Sequence, residues 1–314
     1  MTIPLLIALM TLTYNDDVHD MYQVKFASLE EAQSLLTTED AFTEAWSDFD
    51  IDSRMGKAGS TKAELMDHIK AQALEWDEAD RTKINAALRR INDKLNRADF
   101  LFDIEEVTLI KTTAKEEGGA GGYTRGKYIV ISEGSLGGNE AALDGLLVHE
   151  LFHVISRSNP ALREKLYNII GFHIMEPIEY PDVLKSYRIT NPDAVQTDSY
   201  ILLDVGEDEK VPCMMILYAK KAYEGGSFFN YLNIGFLELD KQSMQPLLSK
   251  EGPVIHGMSD AKDFFDQVGK NTQYIIHPEE IMAENFSFAI LGKEKLVDEN
   301  IVTQIQENLR KTTR

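Results

Sequence analysis

Apolar residues recur at helical spacing through residues 28–95, as at Leu65, Ile69, Ala73 and Trp76 and again at Ile84, Leu88, Ile91 and Leu95. This predicts a helical N-terminal lobe over residues 1–100. Residues 48–59 read as a connector, and Ser60 or Thr61 ahead of Glu64 reads as the capping-box start of the next helix. Past residue 101 the pattern changes. β-Branched and aromatic residues at 107–110 and at 128–132 (YIVIS) predict two strands. The glycine-rich stretch 116–123 (EEGGAGGY) between them lacks the order of a phosphate-binding loop and is expected to form a mobile flap or hairpin turn. Residues 140–156 (EAALDGLLVHELFHVIS) form the most apolar helix of the chain, with almost no wettable face, so it should be central and buried. Residues 161–172, 214–223, 261–268 and 279–291 continue the helical pattern, a polar loop at 189–204 runs into a strand, and a polar helix starts at Lys295. Together these elements predict a predominantly helical α+β fold, with a helical C-terminal part to a second region, residues 101–314.

Composition narrows the partners. The 314 residues carry 52 acidic against 32 basic side chains, a formal charge of −20. No basic stripe interrupts the acid excess, so nucleic acid and anionic lipid are disfavoured. Cys213, alone of its type, cannot form an intramolecular disulfide, as is usual for a cytoplasmic protein. The apolar run 3–12 (IPLLIALMTL) is expected to be a buried strand or short helix. The alternative, that residues 1–13 are a signal segment of a secreted or periplasmic protein, lacks a preceding cation and a clear cleavage site. Ten residues are too few to span a bilayer, and no other segment approaches that length, so no stable membrane insertion is expected. The oligomeric state leaves no mark in the sequence.

Within the apolar helix stands His149-Glu150-Leu151-Phe152-His153, an H-E-x-x-H pattern. Residues i and i+4 share a helix face, so both imidazoles can reach one metal ion, and Glu150, about 100° away, can take a proton from a metal-bound water. Two nitrogens and one further protein ligand leave the fourth position of a tetrahedral Zn2+ open. Chance alone should produce the pattern about once in a hundred such sequences, and two His and a Glu in an apolar helix are costly unless paired or metal-bound.

The third ligand must come from elsewhere, because the metzincin positions after His153 hold Ser156, Asn159 and Arg163. In residues 277–285 (HPEEIMAEN), His277 can act as N-cap and Pro278 as first helical residue, which puts Glu280 and Glu284 on one face. This segment is the best candidate source of the third ligand, and Glu280, Glu284, His277 and His256 are the residues that could supply it. A glutamate followed by an acid four residues later, beside an HExxH helix, resembles the gluzincin group of zinc metallopeptidases. The likeness covers the YIVIS strand, the HExxH helix and the HPEEIMAEN helix. It implies a zincin-like catalytic core with a small sheet beside the HExxH helix, Glu280 as zinc ligand, and Glu284 holding the free ring nitrogen of a metal-bound His. It further implies that the strand at 128–132 forms the cleft edge, where an extended peptide could add by β-augmentation beneath the 116–123 loop. A Tyr or His should steady the oxyanion, and Tyr200 is the first choice with His256 second.

These features lead to the expectation of a zinc-dependent metallopeptidase acting on a peptide or protein substrate, with Glu150 as general base. The alternatives are an interaction or scaffold protein with a structural metal site, and a zinc hydrolase of a non-peptide amide.

Overall fold

In the computed structural model, which describes residues 22–100, 102–206 and 209–310, the chain opens with a short strand, β1 (Gln23–Phe26). The expected element at residues 3–12 lies outside the described residues. Four helices follow: α1 (Leu29–Leu36), α2 (Ala41–Glu44), α3 (Asp48–Met55) and α4 (Lys62–Gln72). Reciprocal capping boxes start the last three, pairing Asp40 with Thr43, Ser47 with Asp50, and Thr61 with Glu64. The connector expected at residues 48–59 is therefore mostly helix, ended by Gly56 in the left-handed region at φ 66°. After β2 (Ala73–Leu74), the long helix α5 (Glu78–Arg97) buries Ile84, Ile91 and Leu95, the stripe its spacing predicts.

The first sheet adds β3 (Glu106–Thr112), β4 (Gly122–Arg125) and β5 (Tyr128–Ser132) in the order β1-β3-β5-β4, with β2 paired to β3. β1, β3 and β5 run parallel, whereas β4 is antiparallel to β5. The strand expected to form the cleft edge is thus interior. All five residues of β5 are buried between β3 and β4, and the edge is β4, which grows out of the glycine-rich stretch. That stretch is anchored as well. Glu117 accepts from Arg54 Nε at 3.0 and 3.1 Å, and Tyr123 donates to Glu116 at 3.1 Å.

Next come α6 (Glu140–Ser158), capped by the Asn139 side chain, and α7 (Pro160–Ile169). A second, antiparallel sheet follows, built from β6 (Phe172–Ile174), β7 (Ser199–Leu203), β8 (Val211–Tyr218), β9 (Asn233–Glu238) and a terminal strand at Ile255–His256. The helix expected over residues 214–223 is instead β8, buried on both faces. A short apolar run has no periodicity to separate the two outcomes. The helices α8 (Asp182–Lys185), α9 (Phe264–Val268), α10 (Pro278–Leu291) and α11 (Glu299–Leu309) complete the α+β architecture.

Leu147, Leu151, Phe152 and Ile155 of α6 pack in one core with Ile281 and Phe286 of α10, and the Phe152 and Phe286 rings lie 5.2 Å apart. This contact fixes α6 against α10 and thereby the site between them. No helix among the described residues is long and apolar enough to cross a membrane.

Candidate metal centre

The two helices present their polar groups to each other where their apolar faces end. On α10, His277 is the N-cap, its Nδ1 accepting from Glu279 N at 3.1 Å, and Pro278 is the first helical residue, so Glu280 points back at α6. Glu280 Oε2 lies 3.0 Å from His149 Nε2 and 3.7 Å from His153 Nε2. The two imidazoles stand nearly edge to face, 5.0 Å between ring centres. In a tetrahedral site with bonds of about 2.0–2.1 Å, neighbouring ligand atoms are about 3.3 Å apart, and the two observed separations bracket that value. His153 Nε2 is fully buried with no hydrogen-bond partner, an expense that native interiors rarely carry without a reason. His149, His153 and Glu280 therefore form a group that fits a divalent cation.

Each histidine is oriented from behind by a carboxylate. His149 Nδ1 faces Glu284 Oε1 at 3.2 Å, and His153 Nδ1 faces Glu279 Oε1, also at 3.2 Å. Such partners fix the tautomer that leaves Nε2 free for a metal. Glu279, which the sequence offers only as an acid in a first helical turn, is itself held by the hydroxyls of Ser156 (3.0 Å) and Tyr167. Asn191 donates to Glu280 Oε1 at 2.5 Å and so steadies that carboxylate. Burial works against charge on both His149 and Glu280. Their mutual hydrogen bond and the neighbouring charges outweigh it, so the His149 pKa is raised and that of Glu280 is held down at about 2.

Glu150 sits beside this group, 2% exposed, with the Thr124 hydroxyl donating to its Oε2 at 2.8 Å. Burial first, and the Asp193 carboxylate second, push its pKa up to about 7, where a carboxylate is a strong enough base to take a proton near neutrality. Thr124 lies on β4, and the strand approaches Glu150 closely. A Cβ at Gly122 would meet the Val130 carbonyl at 2.9 Å and Glu150 Oε1 at 3.4 Å, so only glycine fits. Asp193 Oδ1 accepts from Thr124 N at 2.5 Å and lies 4.0 Å from His153 Nε2, on the side of the site where Glu150 stands.

Neither residue expected to steady an oxyanion is at the centre. Tyr200 lies on β7 opposite His173 of β6, and their rings pack 5.2 Å apart in a separate cluster. His256 ends the second sheet, where its Nε2 is 2.6 Å from Glu238 Oε2. A tyrosine beside the centre is Tyr274, whose ring lies 6.1 Å from that of His149. Tyr274 is 43% exposed, and partial desolvation of its phenol, then the fields of Glu280 and Asp193, raise its pKa and keep it a donor. The sequence held one cue, its position just ahead of the His277 cap.

A family model described as the eCIS core domain matches residues 97–161, which run from the end of α5 through α6 and thus include the H-E-x-x-H helix but not α10. Comparisons with curated proteins and with solved structures give no match.

Proposed function

We propose that this chain is a zinc-dependent metallopeptidase of gluzincin type, with His149, His153 and Glu280 as the ligands and Glu284 and Glu279 as the carboxylates that orient the two imidazoles. The observation that carries the reading is the unpartnered, fully buried His153 Nε2 facing Glu280 and His149. A bound cation would supply Lewis acidity to the attacking water and to the scissile carbonyl. Glu150 accepts the proton of that water and returns it to the leaving amine, with Thr124 fixing the carboxylate while it does so. Tyr274 donates toward the developing oxyanion. On the outer edge of β4 the Thr124 N–H is taken by Asp193 and its carbonyl accepts from Arg157, so the strand offers an extended peptide no continuous main-chain edge beside Glu150.

Asp193 favours one competing reading. Its carboxylate is near enough to His153 to act as a fourth ligand, which would make a closed structural site. Zinc stoichiometry and hydrolysis of a peptide library by wild type and Glu150→Gln separate the two. Bound metal in both proteins with turnover in the wild type alone supports the peptidase. Metal-loaded wild type that cleaves nothing supports the structural site.

A further inference from the structure

Arg157 stands on α6 one turn beyond His153. It is half-buried and lines a cavity of about 220 Å³ together with Gly126, Pro192 and Asp193. Its guanidinium donates to main-chain carbonyls. Nη2 reaches those of Asp193 at 2.7 Å, Pro192 at 3.0 Å and Thr124 at 3.3 Å, and Nη1 reaches that of Gly126 at 3.5 Å. One side chain of the H-E-x-x-H helix therefore ties β4 and the turn after it to the loop that carries Asp193.

The two residues held in this way are those that meet Glu150 from outside its own helix. Thr124 Oγ1 donates to Glu150 Oε2 at 2.8 Å, and Thr124 N donates to Asp193 Oδ1 at 2.5 Å. The Asp193 carboxylate in turn stands within 4.8 Å of a Glu150 oxygen. β4 is the last strand of its sheet, so on its outer side no neighbouring strand fixes Thr124. Asp193 takes the N–H there and Arg157 the carbonyl, and the Arg157 guanidinium also grips the Asp193 main chain. Its planar fork suits the task, since two nitrogens donate to carbonyls of separate segments at once.

We infer that Arg157 is a positioning residue for Glu150: by holding the carbonyls of Thr124 and Asp193 it keeps the Thr124 hydroxyl on the Glu150 carboxylate. Its effect on turnover rests on the peptidase reading, and the clamp itself does not. Without the guanidinium these carbonyls face the cavity, where water satisfies them, so the fold survives while the spacing between β4 and the loop is released.

Arg157→Ala, Thr124→Val and the double variant are compared with wild type as metal-loaded full chains. Arg157→Ala should lower kcat about 10- to 100-fold with KM and zinc content unchanged, because a displaced base slows the chemistry and leaves binding intact. In Thr124→Val the hydroxyl on Glu150 is already gone, so adding Arg157→Ala should lower kcat by less than about threefold more. Losses that multiply in full overturn the inference, as does wild-type kcat in Arg157→Ala. The clamp is read separately, from amide hydrogen exchange followed by NMR. In Arg157→Ala, protection at Thr124 should fall at least about tenfold more than protection at Ile110 on the interior strand β3. Equal changes at the two amides overturn the clamp. If Arg157→Ala does not fold, Arg157→Met, which keeps the apolar stem and removes the donors, decides by the same readings. A chain that cleaves nothing but loses protection at Thr124 loses the peptidase reading and keeps the clamp. A chain that cleaves peptides while the two losses multiply in full does the reverse.

Discussion

Glu279 and His153 meet across the interface of α6 and α10, Oε1 to Nδ1 at 3.2 Å, and both are buried. The contact mirrors that between Glu284 and His149, so each imidazole is clamped at one nitrogen and presents the other inward. Glu279→Gln keeps the size of the side chain but removes its charge. Zinc affinity in a chelator competition should fall about 10- to 100-fold, and Glu284→Gln should show a similar loss. Wild-type affinity in Glu279→Gln would mean that His153 is not a ligand.

Tyr274→Phe removes a hydroxyl from the site without disturbing its apolar contacts. The proposed role requires kcat to fall about 10²- to 10³-fold, with zinc content unchanged. Tyr200→Phe is the control. Its ring packs on His173 away from the centre, so kcat should stay at the wild-type level. The opposite ranking in steady-state kinetics would return the oxyanion role to Tyr200.

Arg54 ties three segments together, since Asp50 of α3, Glu117 of the glycine-rich stretch and the carbonyl of Thr190 all converge on its guanidinium. Asp50 in turn accepts from Thr190 N at 3.0 Å, which places Asn191 beside Glu280 and Asp193 beside His153. Arg54→Ala leaves two buried carboxylates uncompensated and should cost about 3–5 kcal/mol in urea unfolding. Arg54→Lys should recover little of this, because an ammonium cannot replace the fork.

His277 supplies a pH dependence of stability. Burial lowers its pKa from 6.5 to about 4, so the unfolded chain takes up a proton that the folded chain refuses between those values. Stability therefore falls as pH drops from 6.5 to 4, by at most about 3 kcal/mol from this group. Asn is a good N-cap and does not titrate, so His277→Asn should flatten that part of the profile in the metal-free protein. Chemical denaturation at pH 7 and pH 4 measures the difference, and identical slopes in the two proteins would exclude His277 as the cause.

The parts of the site legible in the sequence are those whose chemistry is local. H-E-x-x-H puts two imidazoles on one face by helical period alone, and His277-Pro278 sets where α10 begins and hence which face carries Glu280 and Glu284. Thr124, Asn191, Asp193 and Tyr274 come from a strand and two loops that only the tertiary fold assembles, so no spacing announces them. Tyr200 misled for the same reason, because the register of β6 with β7 turns it toward His173. The α3 helix was hidden by its cap, which uses Asp50 where the usual box has Glu or Gln. β8 was hidden by its continuous apolar run, since a strand buried on both faces does not alternate.

Anomalous X-ray scattering at the zinc edge, from crystals of the metal-loaded chain, tests the centre most directly. The account predicts one peak about 2.0–2.2 Å from His149 Nε2, His153 Nε2 and a Glu280 oxygen. A zinc peak ligated by other side chains, or its absence between α6 and α10 in protein that has taken up the metal, would contradict it.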